Sequence, residues 1–319
     1  MDKRALGNTG LEIAPLVFGG NVFGWTLNER ESFRILDAFI DQGFNAIDTA
    51  DSYSTWVPGN TGGESETIIG NWLKARPALR DRVVVFTKVG SEMNPSMKKK
   101  DLSARWILEE VENSLRRLGV ERIDLYFSHW PDPDTPYAET LGAYDRLIKA
   151  GKVKAIGCSN LDAAQLGESL RVARENGLPA YQVLQPEYNL YARSSFEGPL
   201  ADLCIREGLG AVSYYALASG FLSGKYRGEQ DFGRSARGGG MGKYLNDRGR
   251  AILAALEHVA FRRDALLAEV ALAWLMTRPG LTAPIASATS SDQVESFGRA
   301  ARLKLTAEDL AELDAASAF

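Results

Sequence analysis

Cysteine is nearly absent from this chain: Cys158 and Cys204 are the only two among 319 residues. Their spacing builds no disulfide framework, which fits a reduced compartment. Long apolar runs are missing as well. The opening residues MDKRALGNTGLEIA hold no apolar segment of the signal-peptide kind, and no stretch is apolar enough to span a bilayer. Positive charge is not in excess, the formal net charge being -4, which argues against a nucleic-acid partner. These absences lead to the expectation of a cytoplasmic protein with no nucleic-acid and no membrane partner. Two phosphate-cradling signatures are also lacking: no G-x-G-x-x-G follows a strand-like run, and there is no Walker A motif. Internal repeats are missing, and low complexity is confined to the loop around Gly238-Gly239-Gly240.

What is present is ordinary globular material, 45% hydrophobic and 24% charged, enough for a sizeable core. Residues 4–13 read as a hairpin turning at Gly7-Asn8. Strands are expected at 16–23, 44–48, 83–88, 123–129, 153–158, 181–185, 210–215 and 283–286. Helices are expected at 30–42, 64–74, 103–118 with Ser103 as its cap, 136–150, 161–175, 199–207, near 250–259 and at 264–277. Two more close the tail at 291–301 and 306–316. A basic loop ending in Lys98-Lys99-Lys100 follows the third strand, and a Gly- and Arg-rich loop runs over 220–245. Strands alternating with helices across short connections mean parallel strands with crossover helices. An open doubly wound sheet lacks its usual fingerprint here. The expectation is therefore a single domain over 1–319, of the α/β class: a (β/α)8 TIM barrel with an N-terminal β-hairpin and C-terminal helices.

Three strand-like runs close on ionisable groups, Asp48, Lys88 and His129, and the phenol of Tyr53 lies five residues past Asp48. A barrel gathers such strand ends at one rim. A carboxylate that closes a buried strand is costly unless paired, and Lys88 is its natural counter-ion. The ammonium is in turn expected to lower the phenol below its ordinary pKa of about 10. A tyrosine tuned in this way is a general acid for an oxygen that gains negative charge, with His129 as a second donor. Singly, each residue has a plainer reading. Asp48 could be a cap or loop ion pair, His129 a satisfied core residue, and Lys88 a Schiff-base lysine as in barrel aldolases. His258 on its helix reads as structural, and Cys158 as a packed core thiol.

In order and setting, Asp48, Tyr53, Lys88 and His129 resemble the catalytic tetrad of the aldo-keto reductase superfamily. Gly157-Cys158-Ser159-Asn160 resembles that family's strand end whose Ser and Asn hold the nicotinamide carboxamide, and Gln185 resembles the glutamine that shares the task. Tyr214 is similar to the aromatic under the nicotinamide ring. Residues 220–226, with Gly220, Leu222 and Lys225, resemble its pyrophosphate-side loop. Residues 284–293, with Ser287, Thr289 and Gln293, resemble the segment around the adenosine phosphate. The likeness also implies cofactor contacts at Gly20, Asn21, Asp48 and Leu217.

The resemblance covers nearly the whole chain. It implies an NAD(P)H-dependent oxidoreductase that reduces a ketone or aldehyde reversibly, with hydride from the nicotinamide, a proton from Tyr53 and no metal. The partner is then a small-molecule carbonyl or alcohol; no oligomeric state is assigned. NADPH is the cofactor the family implies, yet residues 287–293 carry no cation. NADH is therefore the alternative, and Arg299 or Arg302 would have to replace the missing charge. Tyr215 stands where a small residue is common. Trp25, Trp56 and Trp130 each follow a strand end, as loop packing or as an aromatic wall around substrate together with Tyr53 and His129. The loop at 234–243 is either solvated or a flap over the dinucleotide. A rival reading is a cofactor-binding regulatory subunit of a membrane channel with incidental turnover. No docking extension is expected, since the hairpin begins almost at once.

Overall fold

A computed structural model describes residues 1–93 and 100–319. Lys98 and Lys99 of the expected basic loop lie outside the described residues. The chain opens with a hairpin of β1 (Arg4–Ala5) and β2 (Glu12–Ile13). Then follow β3 (Val17–Gly19), α1 (Glu29–Asp41), β4 (Ala46–Asp48), α2 (Glu64–Ala75), β5 (Val84–Val89), α3 (Ala104–Leu118), β6 (Ile123–Ser128), α4 (Tyr137–Lys149), β7 (Val153–Ser159), α5 (Ala163–Asn176), β8 (Val183–Gln185), α6 (Pro199–Glu207) and β9 (Gly210–Ser213). The last part of the chain holds α7 (Asp247–Arg263), α8 (Leu267–Met276), β10 (Ala283–Ala286), α9 (Ser291–Arg302) and α10 (Ala307–Ala316). Strands β3 to β10 pair in parallel and close into an eight-stranded barrel in which β10 meets both β3 and β9. The expected architecture is the one observed.

Local chemistry explains where the helices begin. Asn28 and Glu31 exchange hydrogen bonds as a capping box at the start of α1, and Asp162 and Gln165 do the same for α5. Ser103 accepts from the Trp106 amide and caps α3, as its position suggests. The first barrel strand is shorter than its apolar run, because the chain turns into a 3-10 segment at Gly20–Val22. Conversely, α7 starts earlier than its apolar pattern does, because Asn246 accepts from the Gly249 amide. A 3-10 segment at Ala218–Ser223 leads into the long 220–245 loop, which contains two more, at Glu229–Arg234 and Gly238–Tyr244.

Two apolar clusters result from the alternation of strand side chains. Val17, Ala46, Val84, Phe86, Leu125, Phe127, Ala155, Val183, Val212, Ala283 and Ile285 fill the barrel interior. Leu6, Leu11 and Ile13 of the hairpin join that cluster, so the hairpin plugs the end opposite the strand C-termini. The other face of each strand packs outward against the helices, through residues such as Phe18, Ile47, Val85, Tyr126, Ile156 and Leu184. Among the described residues, no helix is long and apolar enough to cross a membrane.

Candidate active site

The inward-facing register continues past the apolar interior. Two residues beyond Ala46, Phe86, Phe127, Gly157, Val183, Val212 and Ile285 stand Asp48, Lys88, His129, Ser159, Gln185, Tyr214 and Ser287. A period of two puts each of these on the same inner face as the core residue before it. Below, the barrel is filled with hydrocarbon; at its upper rim it is lined with hydrogen-bonding groups. A cavity of about 680 Å³ opens there, lined by Asp48, His129, Ser159, Gln185, Tyr214 and Ser287 among others.

Lys88 lies just beneath this cavity, fully buried. Its ammonium donates to Asp48 Oδ2 at 2.7 Å, to the Thr49 carbonyl at 2.8 Å and to the Tyr53 hydroxyl oxygen at 2.7 Å. All three of its donors are therefore used. Tyr53 donates to Asp48 Oδ2 at 3.0 Å, and Gln185 Nε2 donates to Asp48 Oδ1 at 2.9 Å. The turn that carries Tyr53 is fixed on either side. Ser54 donates to the Phe23 carbonyl at 2.7 Å, and Asn60 Nδ2 reaches the carbonyls of Ser54 and Gly24.

The electrostatics correct one expectation. The ammonium does not win over the phenol: burial and the Asp48 carboxylate together hold Tyr53 well above its ordinary pKa. Burial also lowers Lys88, although Asp48 opposes this. Tyr53 is thus firmly protonated. Burial and the Lys88 charge press His129 well below 6.5, so its ring is neutral. That ring stands 6.0 Å from the Tyr53 ring and is half-buried at the cavity wall, its Nδ1 shut off from solvent and lacking a partner among the described residues.

The remaining expected residues divide. Ser159, Asn160, Gln185, Tyr214, Leu217, Gly220, Lys225, Asn21, Ser287, Thr289 and Gln293 all line the same cavity. Several are held in place by one another. Ser159 donates to the Gln185 carbonyl, and Asn160 Nδ2 donates to the His129 carbonyl. The Tyr214 hydroxyl donates to Asn160 Oδ1 at 2.7 Å, which presents its ring to the opening. Ser287 donates to Asn21 Oδ1, tying β10 to the segment after β3. Gly20 and Leu222 sit behind the wall, Leu222 fully buried in the outer core. Arg299 and Arg302 do not line the cavity. Arg299 donates instead to Glu269 Oε1 at 2.7 Å, on the helix side.

Trp25, Trp56 and Trp130 come together at the other end. Trp25 meets Trp56 edge-on at 5.5 Å, Trp56 lies 6.3 Å from Tyr53, and Trp130 stacks near His129 at 5.9 Å. Tyr215 lines the opening in a left-handed backbone conformation, φ 55°. His258 sits on the surface, 3.0 Å from Glu312, and Cys158 is fully buried with its thiol pushed up by that burial.

Two residues escape a reading of the chain. Asp51 is fully buried among Glu66, Glu110 and Arg117, its Oδ2 without a partner among the described residues and its carboxyl raised by burial. Arg237, from the glycine-rich loop, reaches the cavity wall. For Arg237 the only signal was the cationic loop itself.

Comparison with known proteins gives a consistent picture. The model of the aldo/keto reductase family matches residues 15–318. An aldo-keto reductase of Fusarium vanettenii is 31% identical over 92% of this chain and 85% of its own length. A probable voltage-gated potassium channel subunit beta of Arabidopsis thaliana is 31% identical over 92% of this chain and 89% of its own. An 11.2 kDa protein in the crtE 3' region of Pseudescherichia vulneris is 62% identical over 93 residues, 29% of this chain.

Proposed function

The chain belongs to the aldo/keto reductase family and is an oxidoreductase, and on that premise we propose that it reduces a small ketone or aldehyde to the alcohol, reversibly, using NADPH or NADH. The observation that carries this reading is the contact of Lys88 Nζ with both Asp48 and Tyr53, at the floor of a cavity that a neutral His129 lines beside Tyr53.

The chemistry of the cavity fits a nicotinamide dinucleotide. Amide and hydroxyl groups of Ser159, Asn160 and Gln185 cluster beside the Tyr214 ring, which suits a carboxamide on a flat ring. Lys225 offers charge along the middle, and Ser287, Thr289 and Gln293 offer hydroxyl and amide groups at the far end. When bound there, the nicotinamide supplies the hydride.

The protein's own groups handle the proton and the orientation. His129, neutral and walled in by Trp130 and Tyr53, offers a ring N–H to the carbonyl oxygen. Tyr53, kept protonated, gives its proton to that same oxygen as negative charge grows there. Lys88 stands ready to stabilise the phenolate left behind, and Asp48 offsets the buried ammonium. Trp25, Trp56 and Trp130 exclude water and shape the apolar end. A Schiff-base role for Lys88 is disfavoured, because its nitrogen is fully buried and committed to three partners.

The test is direct. The purified protein is mixed with NADPH or NADH and a panel of aldehydes and ketones, and nicotinamide absorbance is followed. Tight dinucleotide binding with no turnover on any carbonyl would favour the regulatory-subunit reading instead.

A further inference from the structure

Arg237 lies between the turns Glu229–Arg234 and Gly238–Tyr244. Its guanidinium carbon stands 5.3 Å from the centre of the Trp25 ring. Trp25 abuts Trp56, and Trp56 abuts Tyr53, so the cation joins the wall that carries the proton donor. Its Nη2 is buried, and among the described residues it has no hydrogen-bond partner. The titratable groups acting on it are the phenols of Tyr215, Tyr53 and Tyr226. No carboxylate pairs with it among the described residues, and residues 94–99 contain none.

A guanidinium nitrogen shut off from water with its donors unused is unfavourable unless an acceptor arrives. Its planar fork matches a carboxylate through two parallel hydrogen bonds, and stacking on an indole holds that fork in one orientation. A carboxylate supplied by the substrate would complete both the hydrogen bonding and the charge.

We propose that Arg237 determines substrate specificity by binding a carboxylate on the carbonyl compound, so that the preferred substrates are aldehydes or ketones that also carry an acid group. This rests on the reductase reading. The other anion the cavity would take is the diphosphate of the dinucleotide. The stacking of Arg237 on Trp25, at the Tyr53 end, favours the substrate.

The experiment compares 4-carboxybenzaldehyde with its methyl ester in the wild type, Arg237→Gln and Arg237→Lys. The wild type should prefer the acid. In Arg237→Gln, kcat/KM for the acid should fall about 10- to 100-fold, mainly through KM, in line with loss of a charge-assisted pair. The ester should lose several-fold less, and Arg237→Lys should recover part of the preference. Equal losses for both substrates would overturn the proposal, as would a weakened dinucleotide Kd that accounts for the whole effect. A second readout needs no turnover. 4-Methylbenzoate is titrated into the dinucleotide-loaded protein by tryptophan fluorescence, and Arg237→Gln should abolish its binding. Unchanged binding would overturn the carboxylate site, whereas lost binding without turnover on any carbonyl would keep the site and discard the reductase reading.

Discussion

Lys88 Nζ stands 2.7 Å from the Tyr53 hydroxyl and 2.7 Å from Asp48 Oδ2, so one buried ammonium binds both the phenol and the carboxylate. If Tyr53 delivers the proton, Tyr53→Phe removes that proton while leaving the ring against Trp56 and the barrel rim. General acid catalysis is typically worth about 10²–10⁴ in rate. Tyr53→Phe should lose kcat by that factor while dinucleotide binding, read by fluorescence titration, stays within about twofold. Normal turnover in this variant would remove Tyr53 from the mechanism.

The same contact makes a prediction about stability. Lys88 and Asp48 are both almost fully buried, and removing one partner of a buried pair leaves a charge without compensation. Such a loss typically costs about 3–5 kcal/mol. Lys88→Met and Asp48→Asn should each lower the urea midpoint markedly. The double variant should be less destabilised than the sum of the two, since neither charge remains, and it should still lack activity. Additive losses in the double-mutant cycle would mean that the two charges do not interact as the 2.7 Å contact implies.

The pH profile follows from the signs of the two shifts. Burial and Asp48 raise Tyr53 above 10, so the phenol keeps its proton at every lower pH and loses it only above that value. Burial and Lys88 depress His129 well below 6.5, so the imidazole stays neutral at every higher pH. Single-turnover carbonyl reduction should therefore be flat from about pH 6.5 to about pH 9 and decline only beyond about pH 10. Alcohol oxidation should rise with pH instead if the Tyr53 oxygen is the group that accepts the proton. A clear limb near the ordinary imidazole value would show that His129 is not desolvated as described.

Much of this arrangement could be read before the structure, because strand periodicity does two tasks at once. The step from Phe86 to Lys88, or from Val183 to Gln185, keeps the inner face while passing from core to rim. A polar residue two places after an inward apolar one is therefore visible in the chain. Tyr53 was legible only as a neighbour of Asp48, and the direction of its pKa was misjudged, since desolvation depends on how the rim closes over it. Arg237 was hidden because it comes from a glycine-rich turn with no period to reveal which way a side chain points. Gly20 and Leu222 lie in segments matched by likeness, but the 3-10 turns there rotate them behind the cavity wall.

The far end of the cavity gives the last test. The chain alone left Arg299 or Arg302 to supply the charge that a 2'-phosphate would need. Neither lines the cavity, and Arg299 is held by the nearly buried Glu269, whose second oxygen accepts from the Leu266 amide. Arg299→Ala removes that partner and leaves a carboxylate oxygen largely dehydrated, which typically costs about 1–3 kcal/mol. The effect should appear in thermal or urea unfolding. The Kd for NADPH should stay within about twofold of the wild-type value, and so should the NADPH-to-NADH ratio. The contrasting variant is Ser287→Ala, which takes a hydroxyl from the cavity wall and frees Asn21; it should weaken dinucleotide binding several-fold with little loss of stability. A tenfold loss of NADPH affinity in Arg299→Ala, with NADH unaffected, would instead place that guanidinium on the phosphate and require its ion pair with Glu269 to break on binding.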